Sequence, residues 1–197
     1  EKMQQGTNIA LITDAGTPGI SDPGEDLVRI CYEQGIEVTS LPGAAACITA
    51  LTLSGLPTRR FSFEAFLPKE KKERAAVLEE LKNDTRTLIV YEAPHHLLGT
   101  LKELQNALGD RRLTVCRELT KKFETAFQTT FSEAIRYYEE QGVRGECVLV
   151  IEGRSREELV QEAQQSWEAI SVEEHMEHYL STGMDRKSAM KQVAKDR

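Results

Sequence analysis

The stretch NIALITDAGTPGISDPGED, residues 8–26, constrains the fold more than any other part of the chain. Ile9-Ala10-Leu11-Ile12 is an apolar run of strand length. Asp14 sits where that strand would end, and Gly16, Pro18, Gly19, Pro23 and Gly24 follow within a few residues. Asp22-Pro23-Gly24-Glu25 reads as a helix start, with Asp as N-cap, Pro in the first turn and Glu behind it. The helix then runs over 25–34 and is closed by Gly35. A strand, a glycine-rich turn and a helix in succession place a ligand at the carboxyl end of a strand in an open α/β sheet. The turn is not a Walker A loop, because Glu25-Asp26 stand where Lys and Ser/Thr are needed. It is not a dinucleotide fingerprint either, because Gly16 and Gly19 are too far apart to begin one. With Asp14 and Asp22 and no basic residue, it suits a ligand presenting amines, hydroxyls or a positive centre. An ordinary tight turn whose glycines serve only backbone geometry fits the same residues equally well.

The rest of the chain continues an α/β pattern. A second strand is expected over 36–41 and a helix over 44–51. The small first turn of that helix suits either close approach of a ligand or tight packing on a sheet. Leu56-Pro57-Thr58-Arg59-Arg60 breaks the pattern, and residues 58–60 are expected to link a domain ending at 57 to a second αβ domain over 61–153. Within the second domain, strands are expected over 61–66, 87–91, 112–117 and 146–151, the first alternating with period two. Helices are expected over 70–82, with Ala76, Leu78 and Leu81 inward, over 96–108 and over 132–141. Residues 154–197 form a charged helical extension opened by two capping boxes, Ser155-x-x-Glu158 and Ser171-x-x-Glu174. Val172, Met176, Tyr179 and Leu180 make a helical stripe there, and Met184, Met190, Val193 and Ala194 a second one.

Bulk properties narrow the function. No apolar run approaches the ~20 residues of a membrane span. The four cysteines, Cys31, Cys47, Cys116 and Cys147, are widely spaced within apolar runs and form no C-x-x-C, which predicts buried thiols in a reducing cytoplasm. A formal net charge of −7 argues against non-specific nucleic-acid affinity and leaves room only for a local basic surface. Such a surface is available in Arg59 and Arg60, in the run Lys69, Lys71, Lys72 and Arg74, and in Arg117, Lys121 and Lys122. Together they suit a phosphate-binding rim, although charged runs of this kind are more commonly solvated faces. Tyr91-Glu92-Ala93-Pro94-His95-His96 follows a buried strand. Glu92 and His95 suit proton transfer or substrate orientation, and equally a helix-end carboxylate and a capping histidine. His175 and His178 share a helical face without a third ligand, so they read as a surface or interface pair and no metal site is expected.

DAGTPGISDPG at 14–24 resembles the second S-adenosylmethionine loop of the tetrapyrrole methylase superfamily, the class III methyltransferases. PGAAACITALTLSGLP at 42–57, FEAFLPKEKKER at 63–74, YEAPHH at 91–96 and CRELTKKFE at 116–124 are similar, more narrowly, to the branch that methylates small-subunit ribosomal RNA. The resemblance spans essentially the whole chain. It implies a tetrapyrrole methylase-like α/β fold, with two αβ domains, the cofactor cleft between them and a small C-terminal helical extension. It implies S-adenosyl-L-methionine as cofactor, held by Asp14, Ala15, Gly16, Thr17, Ile20, Ala45, Ala46, Tyr91, Glu92 and Thr129, the last replacing a glycine usual in the family. The implied reaction is 2′-O-methylation of a cytidine ribose in 16S ribosomal RNA of the small ribosomal subunit. Glu92 and His95 would be base or orienter, with Arg117, Glu118 and Lys121 behind them. RNA would be held by Arg59, Arg60, Lys69, Lys71, Lys72 and Arg74. His96 stands where the family has an arginine. A homodimer is expected, with neither membrane nor metal. Family members carry further strands and a first loop ahead of this stretch, so the chain reads as an amino-terminally truncated and inactive fragment. The alternatives are a tetrapyrrole C-methyltransferase of the same fold and a non-catalytic dimeric module.

Overall fold

The computed structural model describes residues 1–197, which divide into two compact units. The first holds residues 1–82 and 86–153, so the linker expected at 58–60 lies inside it. The second holds 83–85 and 154–197.

The first unit is built on a five-stranded sheet. Its strands are β1 (Phe61–Phe66), β2 (Thr87–Glu92), β3 (Arg112–Arg117), β4 (Thr125–Thr130) and β5 (Cys147–Ile151). They lie in the order β1-β2-β5-β3-β4, with β1 and β2 parallel and the other neighbours antiparallel. β2 and β5 are central and almost wholly apolar, as strands covered on both faces must be. β4, TAFQTT, has no apolar run or regular apolar alternation to betray it, and the sequence reading missed it. It forms because β3 offers a free edge.

Alternation along the strands divides the core into two layers. Leu88, Val90, Leu113, Val115, Leu149 and Ile151 face one side. There they meet α3 (Lys71–Leu81), α4 (Leu97–Leu108) and α5 (Phe131–Gln141). Ile89, Cys116, Val148 and Val150 face the other side, under α2 (Ala46–Leu53) with its Cys47, Ala50 and Leu51. The expected helices are present with ends shifted by a residue or two. Glu70 is the N-cap of α3, its carboxylate accepting from the Glu73 amide at 2.8 Å. Val77 and Leu78 turn toward the core, and Ala76 is exposed, because α3 is rotated from the expected face. All four cysteines are buried and free.

Two expected strands are absent. Residues 9–12 and 36–41 form no ladder, and Ile12 and Leu41 are 84% and 82% exposed. A strand is stabilised by its neighbours, and in this chain neither run has a strand beside it. Between them α1 (Gly24–Glu33) forms one residue earlier than the expected 25–34. The N-cap is Pro23, not Asp22 as expected; Asp22 stands one residue ahead, and its carboxylate accepts from the Gly24 amide at 3.0 Å.

The second unit consists of α6 (Arg156–Glu168), α7 (Val172–Ser181) and α8 (Arg186–Asp196). A full capping box opens α7, whereas Ser155 at α6 turns its hydroxyl proton to Glu157. The surface pair expected at His175 and His178 is half wrong. His175 is completely buried, its ring stacked on Trp167 at 3.8 Å and 4°. Arg197 Nε donates to its Nδ1 at 3.2 Å, which places the ring proton on Nε2, 3.5 Å from Asp196. The apolar stripes shift with it. Val172, Leu180 and Met190 are exposed, and Ala189 and Val193 are buried with His175. A single stacked imidazole thus does the work that the sequence assigned to aliphatic side chains.

Candidate functional site

The glycine-rich turn is shaped by backbone geometry. Gly16 and Gly19 have φ of 75° and 83°, values that glycine adopts without steric cost. Gly24 is needed for closeness, since a Cβ there would stand 2.7 Å from Leu11 Cδ2 and 3.1 Å from the Gly19 nitrogen. Asp14, Ala15, Gly16 and Ile20 are exposed. Hydrogen bonds from Thr13, first, and from the Gly24 amide hold the Asp22 carboxyl below the usual carboxylate range.

Three of the expected cofactor segments meet. Thr17 Oγ1 donates to the Ala44 carbonyl at 3.0 Å, joining the turn to the loop before α2. Gly43 is packed there, because a Cβ would lie 3.1 Å from Thr17 Oγ1. Ala45 is the extended residue before α2, and Ala46 begins it, exposed. The Cys47 amide, one of the donors a helix start leaves open, donates to the Tyr91 hydroxyl at 2.9 Å. Tyr91 therefore caps α2 from a strand 44 residues away. Burial, then this contact, pushes its hydroxyl up to about 12, so it stays a neutral phenol.

Glu92 and Thr129 are carried elsewhere. Strand alternation sends Glu92 to the sheet face opposite Tyr91, where it is 7% exposed. Its two oxygens accept from the Ala93 amide at 2.9 Å and from Thr100 Oγ1 of α4 at 2.5 Å. Thr100 accepts in turn from Arg74 Nη2 at 2.8 Å, and Arg74 Nε donates to Glu103 at 2.5 Å. No motif announced Thr100, and its role arises only when α4 is laid beside β2. Thr129 lies on β4, three strands from β2, and its hydroxyl donates to Glu133 of α5 at 3.1 Å. Neither Glu92 nor Thr129 is on the α2 face. His95 and His96 are exposed in the turn after β2, ring centroids 4.1 Å apart, and His95 makes no bond to Glu92.

The remaining expected catalytic groups hold a loop together. Arg117 Nε donates to the Arg144 carbonyl at 2.9 Å. Glu118, at φ 49°, accepts from the Glu146 amide at 2.9 Å and from Lys121 at 3.3 Å. Lys121 also pairs with the Glu146 carboxylate at 2.9 Å. The Glu146 amide, first, and then Lys121 keep the Glu118 carboxyl low, and Glu146, then Glu118, raise the Lys121 ammonium.

Among the expected RNA contacts, Arg59, Arg60, Lys69, Lys71 and Lys72 are exposed and make no side-chain bond within the chain. Arg74 differs, being held by Glu103, Thr100 and the Pro68 carbonyl. No group of three His, Cys, Asp or Glu side chains is placed to hold a metal. No helix is long and apolar enough to cross a membrane.

Residues 1–135 match the model of the tetrapyrrole (corrin/porphyrin) methylases. Over all 197 residues the chain is 46% identical to the ribosomal RNA small subunit methyltransferase I of Halalkalibacterium halodurans, covering 68% of that protein. It is 47% identical over 197 residues to the protein of the same name from Bacillus subtilis, covering 67% of it. The chain thus spans about two thirds of the length of these relatives. Among solved structures, the methyltransferase CobJ aligns with a TM-score of 0.57 at 19% identity, over 76% of this chain and 66% of that one. The cobalt precorrin-4 methyltransferase CbiF aligns with a TM-score of 0.52 at 17% identity, over 70% of this chain and 61% of that one. At those identities the likeness is one of fold. The chain belongs to the tetrapyrrole methylase family of S-adenosyl-L-methionine-dependent methyltransferases, in the branch of the ribosomal RNA small subunit methyltransferase I proteins.

Proposed function

We propose that this protein transfers the methyl group of S-adenosyl-L-methionine to the ribose 2′-hydroxyl of a cytidine in 16S ribosomal RNA. The observation that carries the reading is the match at 46–47% identity, over every residue of the chain, to relatives named for the small-subunit RNA. The local chemistry fits the cofactor. The joined turns around Gly16, Thr17 and Ala44 present small neutral groups and no cation, as suits a cationic sulfonium ligand. When bound, the cofactor supplies an electrophilic methyl group. The chain's part is to align the hydroxyl with it and take up the proton, and alignment is the larger contribution.

His95 is the proton acceptor in this reading, since its ring is exposed at the carboxyl edge of β2. Glu92 keeps one lone-pair site free on each oxygen but is fixed under α4, so it orients the turn that carries His95. Arg117, Glu118 and Lys121 shape the adjoining loop. Arg59, Arg60, Lys69, Lys71 and Lys72 hold the RNA backbone. A homodimer is part of the reading, supported by Ile48 and Leu53, which α2, a helix without a charged side chain, leaves exposed.

Labelled methyl transfer to 16S RNA and to the small subunit, followed by nucleoside digestion, tests the reaction. Recovery of 2′-O-methylcytidine is the expected result. Label on a base, or transfer only to a tetrapyrrole, would remove it. His95→Ala should lower kcat by 10²–10⁴-fold, the usual weight of a general base.

A further inference from the structure

Side chains an odd number of residues apart on a strand face opposite ways. Phe63 and Phe66 are three apart on β1, yet both rings meet Tyr91, with centroids at 5.0 and 5.6 Å and rings inclined by 70°. A β-bulge reconciles the two facts. The pairing with β2 slips between Phe63 and Ala65, and Ala65 takes φ 51°, a left-handed conformation unusual for a residue with a side chain. Bulges are rare between parallel strands, and where they occur they re-aim a side chain. A regular β1 would send Phe66 toward the α3–α4 layer. The bulge instead turns it onto the face of Tyr91, where its ring is 56% exposed at the carboxyl edge of the strand.

The surroundings of this ring are specific. Tyr91 joins it to the start of α2 through the Cys47 amide, and the loop before α2 joins the glycine-rich turn through Thr17. Just beyond the carboxyl end of β1, on the side of Phe66, stand the unpaired cations Lys69, Lys71 and Lys72, whereas Arg59 and Arg60 lie at the other end of the strand. An open aromatic face beside backbone-binding cations is how proteins hold single-stranded nucleic acid, because every base has a face to stack. We propose that Phe66 is a stacking platform for one nucleobase, presented by the bulge at Ala65 and braced by Tyr91. The base is either one of the RNA strand or the adenine of the cofactor. The RNA arm of the test rests on the proposed function, whereas the cofactor arm rests on the family alone.

Phe66→Leu and Phe66→Trp are compared with the parent protein, with thermal unfolding used to verify the fold. Affinity is measured for a cytidine-containing single-stranded RNA oligonucleotide across a salt series, and for S-adenosyl-L-methionine by calorimetry. Phe66→Leu should weaken one ligand by about five- to a hundredfold, the range for loss of one stacked base. Phe66→Trp should bind that ligand at least as well as Phe. The salt slope for RNA should not change, because no charge is removed. Loss in the RNA series assigns the platform to an RNA base, and loss in the cofactor series assigns it to adenine. Unchanged affinity for both ligands in a folded Phe66→Leu overturns the proposal, as does equal weakening by Leu and Trp. A parent protein that ignores RNA but binds the cofactor would end the proposed function, and the cofactor series would still decide on Phe66. Binding of neither ligand would end both.

Discussion

Residues 59–74 and 117–122 look alike in the sequence, each mixing lysine, arginine and glutamate beside a strand. In the fold they behave differently. Five of the six cations in the first stretch face water without a carboxylate partner, and only Arg74 is tied down. In the second stretch Arg117 donates to the Arg144 carbonyl and Lys121 pairs with Glu118 and Glu146, so that of its three cations only Lys122 is left without a polar partner. Tethered cations hold a loop, and free ones are available to a phosphate. Composition is blind to this distinction, because it depends on which backbone groups and carboxylates the sheet brings alongside.

The difference predicts where RNA binding is lost. Changing Lys69, Lys71 and Lys72 together to Ala should lower the logarithmic salt slope by up to about 2, or roughly 0.7 for each contact. Near 0.1 M salt that corresponds to on the order of a hundredfold weaker binding. Cofactor affinity should be untouched. Affinity across a salt series for the protein and the triple variant measures this. Equal slopes would make the two stretches alike after all, both solvated.

Arg74 sharpens the comparison from within the first stretch. Arg74→Met removes its bonds to Glu103 and Thr100 and should cost about 1–3 kcal/mol of stability in urea unfolding. The RNA salt slope should stay the same. A slope reduced by about 0.7 would show Arg74 meeting a phosphate instead.

What the sequence revealed follows the same line. The β2 run TLIVYE and the β5 run CVLVI were legible because burial on both faces requires unbroken apolar residues. The runs at 9–12 and 36–41 carry a similar signal, and they fail because a strand needs a neighbour that no local pattern supplies. β4 failed in the opposite sense, a weakly patterned segment recruited by the edge of β3. Within the site, the glycine-rich turn followed from residue types at fixed spacing, whereas its link to Ala44 joins residues 27 apart and no local pattern announced it. Tyr91 and Glu92, adjacent in the motif, were expected together, and period two separates them. Thr100, Phe66 and the buried His175 act through partners distant in sequence, so no local pattern marks them.

A smaller effect tests the second stretch. Gly145 has φ 79°, and a methyl group there would overlap the Glu118 side chain. Gly145→Ala should therefore displace Glu118 from the Glu146 amide and lose about 1 kcal/mol or somewhat more, part of it backbone strain. RNA affinity of the folded protein should be unaffected if this stretch serves the loop. Weakened RNA binding with unchanged stability would move the RNA path to residues 117–122.

The smallest effect is a pH dependence confined to this loop. The Glu146 amide and Lys121 hold the Glu118 carboxyl below its ordinary value of 4.5. In the window between the two values the unfolded chain binds more protons than the folded one, so stability rises with pH across it. The contribution is fully present above the ordinary value and disappears as pH falls through the lowered one. Glu118→Gln keeps the shape and removes the titration. Unfolding midpoints at pH 7 should favour the parent protein over the variant, and the gap should close progressively below about pH 4. A gap that persists to pH 3 would mean that Glu118 acts by shape rather than charge, and the contrast between the two basic stretches would rest on the lysine series alone.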